Sequence, residues 1–251
     1  MKKILYSLFV CFGLIALASC EKTTQDTSKI TYYVTFELID GPTNFVPVGS
    51  TFKDPGVIAT ENGVDVKEKV KVLITDASGE EVPSVSTASA GMYTITYSAL
   101  NADNFPASAS RTVFVYDPAV TVSMAGTYSA DMEASTYGLK GATFADYAAS
   151  YGNTDKCTGI VFTELAPGIY QCNDLLAGWY NQIRGYGASY SMGGYVILNS
   201  DNSIDLLYSY IKPWGDGLDY IDEGVYDPEK CVITYFLSYA GQIFMRPVLV
   251  K

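Results

Sequence analysis

Histidine is absent from all 251 residues. That removes the commonest general base and the commonest metal ligand together. Positive charge is scarce as well, with 16 lysines and arginines against 27 aspartates and glutamates. Lys2 and Lys3 belong to a leader, and beyond it 14 basic residues face 27 acidic ones, a formal charge of −13. Such a surface repels phosphate backbones and anionic headgroups, so no nucleic-acid partner is expected. Cysteine is sparse too. After Cys20 only Cys157, Cys172 and Cys231 remain, and none of their spacings suits zinc. An oxidising compartment permits one disulfide among them and leaves a thiol over. No nucleophile elbow, phosphate loop or dinucleotide fingerprint occurs, so neither catalysis nor a cofactor is expected. Past Cys20, no apolar run approaches the length of a membrane-spanning helix.

The leader is what the chain does have. Lys2-Lys3 precede an apolar stretch from Ile4 to Ala18, which ends in Leu17-Ala18-Ser19-Cys20. A basic start, a short apolar core and small residues before the cut describe an export signal. With cysteine at the cleavage point, the pattern resembles the lipobox of bacterial lipoproteins. The resemblance implies a signal peptide over 1–19 and acylation of Cys20, which becomes the first mature residue. Residues 20–30 are polar and aperiodic, and read as a flexible tether. Glu21 and Asp26 partly resemble the acidic signal that follows the acylated cysteine in surface-exported lipoproteins of Bacteroidetes. The expected address is the outer membrane, lipid-anchored, at the cell surface.

The mature chain reads as all-β. It carries 21 tyrosines, 10 prolines and 22 glycines with few strong helix formers. Over 31–117 the apolar period is two: Tyr32, Val34, Phe36 and Leu38; Val70, Val72 and Ile74; Tyr93, Ile95 and Tyr97; Val113 and Val115. Turn clusters separate these runs, among them Asp54-Pro55-Gly56 and Glu61-Asn62-Gly63. Three ordered segments carry a family resemblance: Gly49-Ser50-Thr51-Phe52-Lys53-Asp54-Pro55-Gly56-Val57, Gly91-Met92-Tyr93-Thr94-Ile95-Thr96-Tyr97 and Arg111-Thr112-Val113-Phe114-Val115. They resemble the bacterial Ig-like domain of pesticidal crystal proteins and many surface proteins. The resemblance implies an N-terminal Ig-like β-sandwich that acts as a spacer. Asn101-Ala102-Asp103-Asn104 stands where that family has an Asp-x-x-Gly-Asn turn.

Asp117-Pro118 marks a boundary, because proline breaks pairing and restricts the residue before it. Residues 118–251 read as a second antiparallel β-sandwich or open barrel of about eight strands. The expected strands run over 120–132, 159–165, 168–172, 194–199, 203–211, 231–239 and 242–250. Gly126 is a candidate bulge or start, and a long loop or one short helix is expected around Phe144 to Ala149. Asp201-Asn202 is a hairpin turn, and the Asn199/Asp201/Asn202/Asp205 cluster reads as turn chemistry before it reads as a cation site. Asp216, Asp219, Asp222, Glu223 and Asp227 read as a solvated acidic loop rather than a glycosidase pair.

Aromatic rings carry the functional reading. Strand tyrosines such as Tyr195, Tyr208 and Tyr210 are expected to pack against their neighbours. Trp179-Tyr180 and Trp214 differ, because Ala177-Gly178-Trp179 and Pro213-Trp214-Gly215 place large rings in glycine-flanked loops. Sugar rings stack on such platforms, with Asn181, Gln182, Arg184 and Asp216 placed to bond hydroxyls. The equal alternative is that each tryptophan plugs an end of the domain. Gly168-Ile169-Tyr170, Asn173 through Tyr180, Leu198 through Asn202 and Tyr226-Asp227-Pro228 together resemble the C-terminal domain of Bacteroidetes lipoproteins. Those proteins are associated with Sus-type glycan uptake. The resemblance implies a non-catalytic glycan-binding accessory, and the rival is a structural subunit of an outer-membrane transport complex that touches no sugar. Candidate binding residues are Trp179, Tyr180, Asn181, Trp214 and Asp216. The expected partners are the outer membrane, a polysaccharide or oligosaccharide, and a transporter complex.

Overall fold

A computed structural model describes residues 30–251; the leader, Cys20 and most of the tether lie outside the described residues. Strands of alternating polarity build the first domain: β1 (Val34–Leu38), β2 (Thr43–Pro47), β3 (Val57–Glu61), β4 (Val64–Asp65), β5 (Lys71–Asp76), β6 (Gly91–Leu100) and β7 (Pro106–Tyr116). They form two sheets, β1-β3-β4 and β2-β7-β6-β5, with β2 parallel to β7 and the other pairs antiparallel. Val46, Val57, Ile95, Tyr97 and Val113 meet in the core between them. Asn62 and Gly63 turn β3 into β4 with φ of 49° and 76°, the left-handed pair that a tight hairpin needs. At the Asn101 turn, the side-chain carbonyl accepts from Asp103 N and Phe105 N at 3.1 and 2.7 Å, which replaces the family's glycine turn with asparagine chemistry.

The second domain is a barrel. Its strands are β8 (Gly126–Ala130), β9 (Thr136–Tyr137), β10 (Ala142–Thr143), β11 (Cys157–Ala166), β12 (Ile169–Cys172), β13 (Gly193–Leu198), β14 (Ser203–Tyr210), β15 (Leu218–Asp227), β16 (Val232–Tyr239), β17 (Ile243–Arg246) and β18 (Val248–Val250). Eight of these close a circuit, β8-β11-β12-β13-β14-β15-β16-β18, because β16 pairs with both β15 and β18. Closure removes the exposed sheet edges that an open barrel would leave. Inside lie Ile160, Phe162, Tyr170, Val196, Ile233 and Leu249. Tyr235 and Tyr128 are also buried there, and their hydroxyls donate to the carbonyls of Leu175 and Met124 at 2.8 and 2.7 Å. Burying a phenol is tolerable when its hydroxyl finds such a partner.

Several expectations change in the details. The expected strand over 120–132 is shorter and starts at Gly126. The expected strand over 242–250 is two strands, split at Pro247, which has no N–H to donate. The acidic "loop" is largely a strand. Within β15, Leu218, Ile221 and Tyr226 turn to the core while Asp219, Asp222 and Glu223 stay outside. Two bulges, at Leu218/Tyr220 and Asp222/Val225, break the alternation that would have shown it. The short helix does form, as α1 (Phe144–Tyr151), with a reciprocal capping box between Thr143 and Asp146 and Gly152 closing its end at φ 69°. No disulfide joins the described cysteines: Cys157 and Cys172 are buried thiols and Cys231 is half-buried.

The two domains share an apolar contact. Met92 and Phe114, on the outer face of β6 and β7, pack against Ile169, Ile197 and Leu207 on the outside of the barrel. The Phe114 and Tyr195 rings meet edge to face, with centroids 5.1 Å apart. The Ig-like domain is therefore docked on the barrel wall.

Candidate functional site

Between β12 and β13 the chain makes one long excursion that carries most of the loop aromatics. Asp174 anchors it. Its Oδ1 accepts from Leu176 N at 3.1 Å and Met192 N at 3.2 Å, and its Oδ2 accepts from Gly178 N at 3.2 Å. The two ends of the excursion are thereby tied to one buried carboxylate. Burial pushes the Asp174 carboxyl up to about 6, against the pull of those backbone donors.

Ala177 and Gly178 then take left-handed backbone, φ 53° and 84°, and a π-helical turn over Trp179–Ile183 follows. A Cβ on Gly178 would lie 2.8 Å from Cys157 Cβ, so only glycine fits. This turn drives Trp179 inward, where it is only 1% exposed. The indole stacks on Tyr137 at 4.1 Å and 10°, and meets Tyr147 edge-on at 5.0 Å and Phe144 at 5.4 Å. Its Nε1 has no partner among the described residues. The expectation that Trp179 is a loop platform is corrected: no face of its ring is left for a ligand. Gln182 is likewise structural, because its amide donates to Thr158 O at 2.9 Å and accepts from Thr158 N at 3.1 Å.

Trp214 has the opposite fate. The β14–β15 loop turns at Gly215, φ 74°, and leaves the indole 42% exposed. Tyr180 supports it from below, edge-on at 4.7 Å, and is itself buried, which corrects its reading as a surface ring. Tyr190 at 5.2 Å and Tyr186 at 6.4 Å flank it from the excursion, and Tyr239 lies nearly parallel at 6.2 Å and 24°. Desolvation pushes the Tyr180 phenol up to about 12, so it stays neutral. Asp216 is exposed beside this cluster and accepts from the Tyr239 hydroxyl at 2.9 Å. Arg184 donates to the Tyr186 hydroxyl at 2.9 Å, with its guanidinium 4.7 Å from the Tyr151 ring. Asn181 is half-buried, its carbonyl accepting Gly187 N–H at 3.1 Å.

The structure thus gathers Trp214, Tyr180 and Asp216 and sends Trp179 elsewhere. Tyr186, Tyr190 and Tyr239 are partners that spacing alone does not assign. Tyr186 and Tyr190 lie in the same excursion, and Tyr186 sits between Gly185 and Gly187, a sequence hint that Tyr190 and Tyr239 do not give. The arrangement can offer one flat ring to solvent with a carboxylate, a phenol and a guanidinium around it. That suits stacking and hydrogen bonding.

The remaining acidic residues hold structural contacts. Asp219 accepts from Ser238 Oγ and Gly241 N, both at 2.8 Å. Glu223 pairs with Arg246 at 2.7 Å and Asp227 with Lys230 at 2.9 Å. Asn199 Nδ2 donates to Asp205 at 2.7 Å, the turn chemistry expected there. Among the described residues no group of three or more metal-binding side chains converges.

Comparisons with known proteins agree with the two-part organisation. A family model for a bacterial surface protein Ig-like domain matches residues 36–115. A second, described as "-like, C-terminal domain", matches residues 117–250. The crystal structure of the lipoprotein BT2262 from Bacteroides thetaiotaomicron is similar at 31% identity. It covers 87% of this chain and 100% of that one, with a TM-score of 0.45. No curated protein matches.

Proposed function

This chain belongs to the family that joins a bacterial surface Ig-like domain to this C-terminal domain, the family of the Bacteroides lipoprotein, and from that membership we propose a cell-surface lipoprotein, acylated on Cys20, that binds extracellular glycan without transforming it. The lipobox pattern before Cys20 and the lipoprotein relative support the anchor. The outer membrane is the proposed site of attachment, and nutrient import the proposed context. The observation that carries glycan binding is the Trp214 ring, held half out of the protein by Tyr180 with Asp216 at its edge. An exposed indole on a rigid aromatic base costs little ordering entropy when a sugar face covers it. The absence of histidine, and the structural contacts of Asp216, Asp219, Glu223 and Asp227, support a binding role over hydrolysis.

The test is affinity electrophoresis through gels containing starch, mannan, xyloglucan or chondroitin. Retardation of the wild type in one gel, weakened about thirtyfold or more by Trp214→Ala, is expected for a stacked anchor. Retardation that Trp214→Ala leaves unchanged would remove this site. A second reading, a subunit that packs on a transport complex, draws on the burial of Trp179 and on the exposed Tyr220 beside Phe236 and Phe244 on the barrel wall. That reading takes the lead if no polysaccharide retards the protein.

A further inference from the structure

We propose that the end of the Ig-like domain farthest from the barrel is a bilayer-contact surface, which seats the domain in the lipid interface beside its own anchor. The proposal rests on the acylation of Cys20 proposed above. Ile30, Tyr32, Tyr33, Val64, Leu100 and Phe105 are all exposed. Their positions converge. The chain enters β1 beside the β3–β4 hairpin, since Val34 pairs with Glu61. The β6–β7 hairpin joins them there: Asn101 Nδ2 donates to Tyr32 O and Ala102 N donates to Glu61 Oε1, both at 2.7 Å. The Tyr33 and Phe105 rings meet at 5.8 Å, although the two side chains are 57% and 47% exposed. Three separate segments thus present apolar side chains at a single tip.

The opposite end of the same strand identifies which way the tip faces. β6 starts at Gly91, next to Met92 in the contact with the barrel, and ends at Leu100 in the patch. Ten extended residues put about 30 Å between those ends. The barrel therefore lies at one end of the domain, and the apolar tip and the incoming chain at the other. Nine residues lie between Cys20 and Ile30, and these ten steps reach about 35 Å at full extension. An acyl group on Cys20 holds the tip within that distance of the bilayer.

Apolar side chains exposed together at one tip need a cover, and tyrosine with phenylalanine and aliphatic neighbours suits the headgroup level of a membrane. Charge at the tip is mixed: Glu61 pairs with Lys69 at 3.2 Å, and Asp103, in the β6–β7 turn, acts on Glu61 as a like charge. The overall acidity of the chain repels anionic headgroups, so insertion is apolar in origin and neutral lipid suffices.

The test uses the full lipidated protein, reconstituted in phosphatidylcholine vesicles with and without bromine in the upper acyl chain. Phe105→Trp places an indole in the patch, a swap between large apolar groups at an exposed position. The expected result is flotation with the vesicles. The added indole emits further to the blue and is quenched by brominated lipid, while wild-type protein, whose indoles are Trp179 and Trp214, is not quenched. Protein that floats with the added indole unquenched overturns the contact surface and leaves the anchor standing, and a protein partner would then be the cover. Protein that fails to float overturns the anchor and this proposal with it. Quenching of the wild type would put the barrel on the bilayer and overturn the orientation.

Discussion

Asp54 and Arg111, 57 residues apart in sequence, share a 2.9 Å ion pair inside the Ig-like sandwich. The Arg111 side chain is fully buried, and it also donates to the carbonyls of Ile39 and Gly56. Tyr97 donates to the same Asp54 carboxylate at 2.6 Å. One residue from each of the three segments that suggested the domain therefore meets at a single point.

Asp54→Ala should destabilise the Ig-like domain by about 3 kcal/mol, because it strands a buried guanidinium. Tyr97→Phe should cost about 1 kcal/mol, the worth of one hydrogen bond. Asp54→Ala combined with Arg111→Met should recover part of the loss. Urea titration followed by circular dichroism checks this, and a double variant no more stable than Asp54→Ala would contradict it.

The two tryptophans should separate in stability. Trp179→Ala empties a ring-lined site and should cost about 3–5 kcal/mol. Trp214→Ala should change stability by about 1 kcal/mol or less, as at an ordinary exposed position. Thermal denaturation of both variants decides it.

Asp174 sets an unusual pH dependence. Its folded value of about 6 lies above the ordinary 3.8, so the folded state holds the proton more tightly. The stabilisation is complete below the unfolded value and is lost as pH rises through the folded one. Acidifying from pH 7 to 5 should therefore stabilise the barrel by about 1 kcal/mol. Below about pH 4 the trend should reverse, since Glu61, Asp76, Asp201 and Asp227 are all held below their ordinary values. Asp174→Asn should flatten the profile between pH 5 and 7 and lower stability throughout, because its amide would face the Gly178 N–H. An unchanged profile in that variant would exclude Asp174 as the cause.

Cys231 should react with iodoacetamide well before the other described thiols. Cys157 is buried and pushed up to about 12, and Cys172 is buried and also pushed up. Peptide mapping by mass spectrometry after brief alkylation at pH 8 reads the order directly.

The all-β class, the Ig-like strands and the Asp201-Asn202 turn were legible because each rests on local rules, whereas the helix at Phe144 was one of two alternatives until its capping box was seen in the structure. Alternation and left-handed turns act over a few residues, and their signals stand in the order of the chain. Strand β15 was hidden because two bulges break its period and its outward carboxylates resemble a solvated loop.

Closure of the barrel was decided at β16, whose two halves choose different partners, and pairing between distant segments leaves no mark in either one. The fates of Trp179 and Trp214 were decided the same way. Both sit beside glycine in sequence, yet one glycine is clamped against Cys157 and turns its ring inward, while the other lies in an open turn. Composition alone determined that this acidic, histidine-free chain is a β protein, and the order of residues before Cys20 sets the expectation of an export leader. Which aromatic ring faces water depended on what lies behind each backbone, and only the packed structure supplies that.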